Sequence, residues 1–179
     1  MNKYSEETIE YLDQRKNNWE PEASIDLNGY FFCISTMSGC SAYRPDLGYE
    51  RIFLVPSAAN SAIGEALLLA LSRSRFVDPR DPANEEFLHF RKSAERSKIW
   101  VAETMKQFGL KTKTAMFKNM KHCSVSHRSG QLIIKPWIHV KLQAWSREKG
   151  DGIEDVVIAD TASPEEIGAA VHLAFSRCR

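Results

Sequence analysis

Apolar positions change their period several times along the chain, and each change marks an element. Residues 30–37, Tyr-Phe-Phe-Cys-Ile-Ser-Thr-Met, are aromatic and β-prone, follow the turn pair Asn28-Gly29 and end at Ser38-Gly39, which predicts a strand. Residues 52–55 read as a short strand of the buried type. In residues 60–75, Ile63, Ala66, Leu67, Ala70 and Leu71 recur at helical spacing, and Leu68 and Leu69 widen the stripe until little of it can face water. That predicts a central helix, with Arg73 and Arg75 in or just past the last turn, where cations complement the dipole. Asp81-Pro82 opens a second helical region reaching residue 107, with a break near Phe90, and Gly109 suits the position after its end. Residues 122–128, the pair Ser129-Gly130 and the return from Gln131 predict a β-hairpin. Residues 155–159 are another buried-type strand. Ser163-Pro164-Glu165-Glu166 then offers an N-cap, a proline at the first helical position and a glutamate placed for a capping box, opening a final helix. The first 21 residues have no clean period. Tyr4, Ile9, Tyr11 and Leu12 could form the dry side of a short helix, the alternative being a loosely ordered segment over residues 1–25.

Residues 52–75 can be laid on residues 156–179 without a gap, at an offset of 104. Ala58, Ile63, Gly64, Ala66, Leu69, Ala70, Ser72, Arg73 and Arg75 recur as Ala162, Ile167, Gly168, Ala170, Leu173, Ala174, Ser176, Arg177 and Arg179. A strand, loop and small-residue helix used twice predicts two similar halves around a pseudo-twofold axis. A glycine inside a helix costs roughly 1 kcal/mol relative to alanine, so Gly64 and Gly168 are expected where another backbone comes close.

At 179 residues, 43% of them hydrophobic, the chain suits one domain over residues 1–179 that buries an ordinary core. The formal charge of +1 suggests neither nucleic acid nor membrane as a partner of the whole molecule. No stretch approaches the ~18 apolar residues of a spanning helix, and the absence of a signal-like N-terminus leads us to expect a cytoplasmic protein. Cys33, Cys40, Cys123 and Cys178 are accordingly expected as free, mostly buried thiols.

Phosphate-binding glycine loops and a nucleophile elbow are absent from the sequence, and no catalytic residue or cofactor is expected. His122, Cys123 and His127 come closest to a metal set, but alternation in a strand sends His122 to one face and the other two to the opposite one. We expect no metal.

The run from Gln131 to Trp145 is more informative. Leu132, Ile134, Pro136, Ile138, Val140, Leu142 and Ala144 take the even positions, while Lys135, Trp137, His139, Lys141 and Trp145 are among the odd ones. As extended chain this has a dry face and a face of cations and aromatics suited to binding. Pro136 marks an edge, bulge or break, and Ile138, Leu142 and Trp145 also fit helical spacing, so the second half is strand or helix.

The segments Leu54-Val-Pro-Ser-Ala-Ala, Ile63-Gly-Glu-Ala, Leu71-Ser-Arg-Ser-Arg, Lys111-Thr-Lys-Thr-Ala-Met-Phe-Lys-Asn-Met and Ile134-Lys-Pro-Trp-Ile-His occur in an order and spacing that resembles the immunity proteins of bacterial contact-dependent growth inhibition. The likeness runs from about Gly29 to Trp145. It implies an α+β fold with a central, mostly antiparallel sheet and packed helices. Some such proteins look like the Whirly fold, itself built from two similar halves. It further implies a cytoplasmic protein, not an enzyme, that binds the cognate toxin domain at the C-terminus of a large exported exoprotein and blocks its active site, commonly that of a nuclease.

An inhibitor of a nuclease is expected to offer carboxylates to a basic cleft, whereas residues 106–149 are basic. Either the contact uses acidic residues such as Asp46, Glu50, Asp151, Glu154 and Asp155, or the toxin presents an acidic surface to Arg128, Lys135, Trp137, His139, Lys141 and Trp145. The competing function is binding of single-stranded nucleic acid, with Trp137 and Trp145 as stacking platforms.

Overall fold

The computed structural model describes residues 4–179. In chain order its elements are α1 (Glu6–Asn17), β1 (Glu22–Leu27), β2 (Phe32–Gly39), β3 (Tyr43–Pro45), β4 (Ile52–Leu54), α2 (Asn60–Ser72), a 3-10 turn at Pro82–Asn84, α3 (Glu85–Leu88), α4 (Phe90–Gln107), α5 (Lys113–Phe117), β5 (Lys121–Arg128), β6 (Gln131–Pro136), β7 (Ile138–Lys141), β8 (Ala144–Ser146), β9 (Val156–Ala159) and α6 (Pro164–Arg177). This is an α+β protein. Seven strands make one sheet in the order β3-β2-β1-β5-β6-β9, with β4 pairing β2 beside β3, and every pairing is antiparallel. β7 and β8 form a separate two-stranded ribbon.

Alternation sends Ala23 and Ile25 of β1, Phe32 and Ile34 of β2, Cys123 and Val125 of β5, and Leu132 and Ile134 of β6 to one face, where all are buried under α2 and α6. The apolar stripe of α2 faces this core through Ile63, Ala66, Leu67, Ala70 and Leu71, as its spacing predicts, although Leu69 is exposed. α6 starts with the expected capping box between Ser163 and Glu166 and with Pro164 in its first turn. α2 has no side-chain cap of its own. Glu165 of α6 serves instead: its carboxylate accepts from Ser61 N and Asn60 Nδ2, each at 3.0 Å. The two helices touch where glycine was expected to allow it. A Cβ added at Gly64 would lie 2.0 Å from the Pro164 carbonyl oxygen, and one at Gly168 would lie 2.0 Å from that of Asn60.

The structure corrects three expectations and adds one element. Residues 6–17 are helical, as the short-helix alternative had it, and residues 22–27 form the strand between β2 and β5, so the alternative of a loosely ordered segment fails where the chain builds the sheet's middle; Met1 to Lys3 lie outside the described residues. Leu12 is buried, and Arg15 Nε donates to the Cys40 carbonyl at 3.1 Å. The strands read as buried, β4 and β9, are half-exposed because each pairs on one side only. α5 has no counterpart in the sequence reading; Thr112 caps it, and Met116 and Phe117 bury it. The run from Gln131 leaves the sheet at Pro136, its dry face ends there, and Val140 and Leu142 are exposed. Residues 138–146 are strands, not helix. Among the described residues, no helix is long and apolar enough to cross a membrane.

Candidate partner-binding site

The second face of the sheet is only partly covered. At one end, Phe31 and Cys33 pack with Val101 of α4, Leu110, and Met116, Phe117 and Met120 in and after α5, forming a second, smaller core. Beside it remains a cavity of about 390 Å³, floored by the sheet and walled by Trp100, Trp137 and Trp145.

The register sets its floor. His122 of β5 stands opposite Asp26 of β1; Lys135 of β6, Ser124, Ser24 and Ser35 of β2 form the next row, and Ser126, Glu22 and Met37 the one after. These are the positions that alternate with the buried apolar set. His122 Nδ1 lies 2.7 Å from Asp26 Oδ1, and both side chains are largely buried. The His122 ring sits 5.8 Å from that of Trp137 and 5.4 Å from that of Trp145. Trp137 Nε1 donates to Ser124 Oγ at 3.0 Å, and Trp145 Nε1 donates to the Met120 carbonyl at 3.3 Å. Trp145 stacks on His139 with centroids 4.9 Å apart, and Lys135 Nζ is 5.6 Å from the Trp137 ring.

Desolvation governs the charges here. Burial, with nearby Glu20 adding to it, pushes the Glu22 carboxyl up to about 7. Burial lowers the Arg51 guanidinium from its ordinary value and pushes the Cys33 thiol up to about 12. The Arg51 guanidinium carbon lies 3.7 Å over the Trp100 ring. Trp100 Nε1 is buried with no hydrogen-bond partner among the described residues. The cavity therefore offers aromatic walls, a titratable carboxyl, an Asp–His couple and a row of hydroxyls, an arrangement suited to holding mixed polar and apolar surface.

Of the residues singled out from sequence, Lys135, Trp137, His139 and Trp145 come together at the rim of this cavity. Lys141 is exposed at the end of β7. Arg128 lies at the far end of β5, paired with Glu20 at 3.0 Å. Glu50 and Glu154 are exposed, and Asp155 receives Arg147 Nη1 at 3.1 Å. Two carboxylates expected at the surface are instead internal. Asp46 is buried against Arg75 Nε at 2.8 Å and also accepts from Gly48 N; Asp151 is held by Arg147 and accepts from Ile153 N. Both oxygens of each are engaged in holding loops, so neither is presented to a partner.

His122 and Cys123 point to opposite faces, and His127 pairs with Asp160 at 2.9 Å. Among the described residues, no three His, Cys, Asp or Glu side chains converge as a metal set would. Sequence reasoning missed Glu22, Asp26, Arg51, Trp100 and His122 as members of one site. The available signal was the alternation Glu22, Ser24, Asp26 against Ala23, Ile25, Leu27.

An α+β chain with one sheet face sealed by two helices and the other left open around charged and aromatic groups is a binding scaffold. A family model described as CdiI, the CDI immunity protein, matches residues 21–178, and the chain belongs to that family. It is 35% identical over 176 residues to the immunity protein CdiI-YPIII of Yersinia pseudotuberculosis serotype O:3 (strain YPIII), covering 92% of this chain and 97% of the relative. Among solved structures, a protein of unknown function from Neisseria meningitidis superposes with a TM-score of 0.83 at 36% identity, over 90% of this chain and 97% of the other. A chain from the CdiA-CT/CdiI toxin and immunity complex of Yersinia pseudotuberculosis superposes with a TM-score of 0.81 at 31% identity, over 89% and 98%.

Proposed function

We propose that this protein binds and neutralises the toxin C-terminal domain of a cognate exported exoprotein, acting by occlusion and not by catalysis, in the cytoplasm of the cell that makes it. The observation that carries this reading is its likeness, at 31% identity and a TM-score of 0.81, to a chain of a toxin and immunity complex. The finer reading is that the toxin is a nuclease whose active site the bound protein covers. The contact surface we propose is the rim formed by Lys135, Trp137, His139 and Trp145 with neighbouring Lys141, joined by accessible carboxylates such as Glu50, Glu154 and Asp155. Exposed carboxylates suit a basic nuclease cleft, and half-buried aromatics suit the anchor positions of a protein interface.

Co-expression with the C-terminal toxin domain of the cognate exoprotein, followed by size-exclusion chromatography, tests the pairing. The two chains should co-elute at micromolar concentration, and separate elution overturns the proposal. Adding the purified protein to the toxin in a nucleic-acid cleavage assay tests the finer reading. Cleavage should stop at one equivalent; a complex that still cleaves removes active-site blocking while leaving the pairing intact.

A further inference from the structure

Behind the candidate site, on the helix-covered side of β5, two thiols meet. Cys123 is fully buried in the core, and Cys178, the C-cap residue of α6, is half-buried. Their Sγ atoms are 3.7 Å apart although the residues are 55 positions apart in the chain. The placement of Cys178 is fixed on both sides. Before it, Lys121 Nζ donates to the Phe175 carbonyl at 3.0 Å, tying the end of α6 to β5. After it, Arg179 N donates to the Trp137 carbonyl, and its own carbonyl accepts from His139 N at 2.6 Å. Cys178 Sγ also lies 3.4 Å from the His122 carbonyl oxygen. Neither thiol is used by the proposed partner contact.

We propose that Cys123 and Cys178 form an oxidisable dithiol, a site at which a small hydroperoxide is reduced and an intrachain disulfide is made. Cys178, the more accessible sulfur, attacks the peroxide oxygen and becomes a sulfenic acid, and the departing alkoxide or hydroxide takes a proton to leave as alcohol or water. The Cys123 sulfur then attacks Cys178 Sγ. The S–S bond forms, the S–O bond breaks, and the Cys123 proton leaves with the hydroxyl as water. Two electrons pass from the dithiol to the hydroperoxide.

The electrostatics favour this division of labour. The contact between the two sulfurs, in which either can donate, brings Cys178 down to about 6, and the same contact together with burial holds Cys123 well above the ordinary thiol range. The accessible sulfur is thereby the readier of the two to ionise and the buried one the readier to keep its proton, as a nucleophile and its resolving partner require. A disulfide needs roughly 2.05 Å between sulfurs, so from 3.7 Å the pair must close by less than 2 Å.

The experiment uses the full chain carrying Cys40→Ser, which removes the other partly exposed thiol. It is treated under native conditions with stoichiometric hydrogen peroxide, alkylated, digested and mapped by mass spectrometry. The thiol count of the denatured chain should fall from three to one. Peptides bearing Cys123 and Cys178 should be joined, lighter by two hydrogens and separable by dithiothreitol, with Cys33 left free. Adding Cys123→Ser should replace the cross-link by a dimedone-trappable sulfenic acid on Cys178. Oxidised Cys178 beside a free Cys123 in the Cys40→Ser chain, a cross-link between two chains, or no reaction at either thiol overturns the proposal. Because the readout is made on this chain alone, it stands or falls separately from toxin binding.

Discussion

Replacing Gly64 by alanine should destabilise the protein even though alanine is the better helix former. The added Cβ would lie 2.0 Å from the Pro164 carbonyl oxygen and 2.6 Å from its carbonyl carbon, and at Gly168 it would meet the Asn60 carbonyl group at 2.0 and 2.5 Å. The obstacle is backbone in both cases, so no side chain can rotate away. The first turns of α2 and α6 are also held together by the bonds from Asn60 and Ser61 to Glu165. Relief requires the helices to move apart by roughly 1 Å, loosening the contact around fully buried Ile63 and Ile167. Overpacking of this kind costs about 1–3 kcal/mol and at times more, against about 1 kcal/mol returned by helix propensity. With backbone facing backbone the upper part of the range applies, and we expect a net loss of about 2 kcal/mol for either variant. One separation of the helices accommodates both methyl groups, so Gly64→Ala with Gly168→Ala should lose less than the sum of the two. Urea unfolding followed by circular dichroism measures each, with Gly29→Ala as control because its Cβ would meet nothing within 4 Å. A stabilised single variant, or strict additivity in the double, would refute the backbone-contact argument.

Glu22→Gln should stabilise the protein above neutral pH and leave it nearly unchanged near pH 4. The folded carboxyl holds its proton up to about 7 and the unfolded one only to 4.5, so this group's favourable contribution is complete below 4.5 and lost as pH rises towards 7. Discounted for partial exposure, the loss is about 1–2 kcal/mol; urea midpoints at pH 4 and pH 8 read it, and a pH-independent effect contradicts it. Ile63→Ala and Ile167→Ala remove equally buried side chains from the same core and should each cost ~2–5 kcal/mol in urea titration; sensitivity at one site alone argues against their equivalence. Fluorescence anisotropy near 150 mM salt should find no oligonucleotide binding tighter than about the micromolar values of non-specific contacts, and nanomolar binding lost in Trp137→Ala with Trp145→Ala would favour a nucleic-acid module.

What the sequence made legible was local. The Ser163–Glu166 cap, the Ser129-Gly130 turn with both φ values positive, and the positive φ of Gly109 after α4 follow from chemistry within a few residues. β1 carried an equally local alternation, but it is six residues long, lies behind a polar stretch, and gains its partners from β2 and from β5 nearly a hundred positions away. The site divided the same way. Trp137 and Trp145 stood out by their spacing with Lys135 and Lys141, whereas Glu22, Asp26, His122 and Arg51 meet only once three strands and a loop are in register. Composition could not distinguish Asp46 or Asp151 from Glu50 or Glu154, because what separates them is an arginine, reached through the fold for Asp46 and four residues away within a loop for Asp151.

The two faces of the sheet differ in how completely their polar groups are satisfied. Under α2 and α6 the core is apolar, and the glutamate that joins the exposed first turns of the two helices caps one of them. Around the open face, burial leaves Glu22 reluctant to ionise, Arg51 partly stripped of water, and Trp100 Nε1 without a partner among the described residues. Trp19 Nε1 is in the same state, its ring 5.2 Å from that of Tyr43 at the cavity edge. A buried donor without a partner costs about 1–3 kcal/mol, and an apolar ring at either position would avoid that cost. Stability alone gives no reason to keep such groups, and still less to gather them on one face. Partner binding does give one, because a second chain seated on this face completes the desolvation of Glu22 and Arg51 and can offer an acceptor to an indole that turns outward to meet it. If that is their role, Trp100→Phe should leave the free protein at least as stable as wild type by urea unfolding while weakening toxin binding in calorimetric titration. A variant that loses stability and keeps its affinity would assign the indole to the fold.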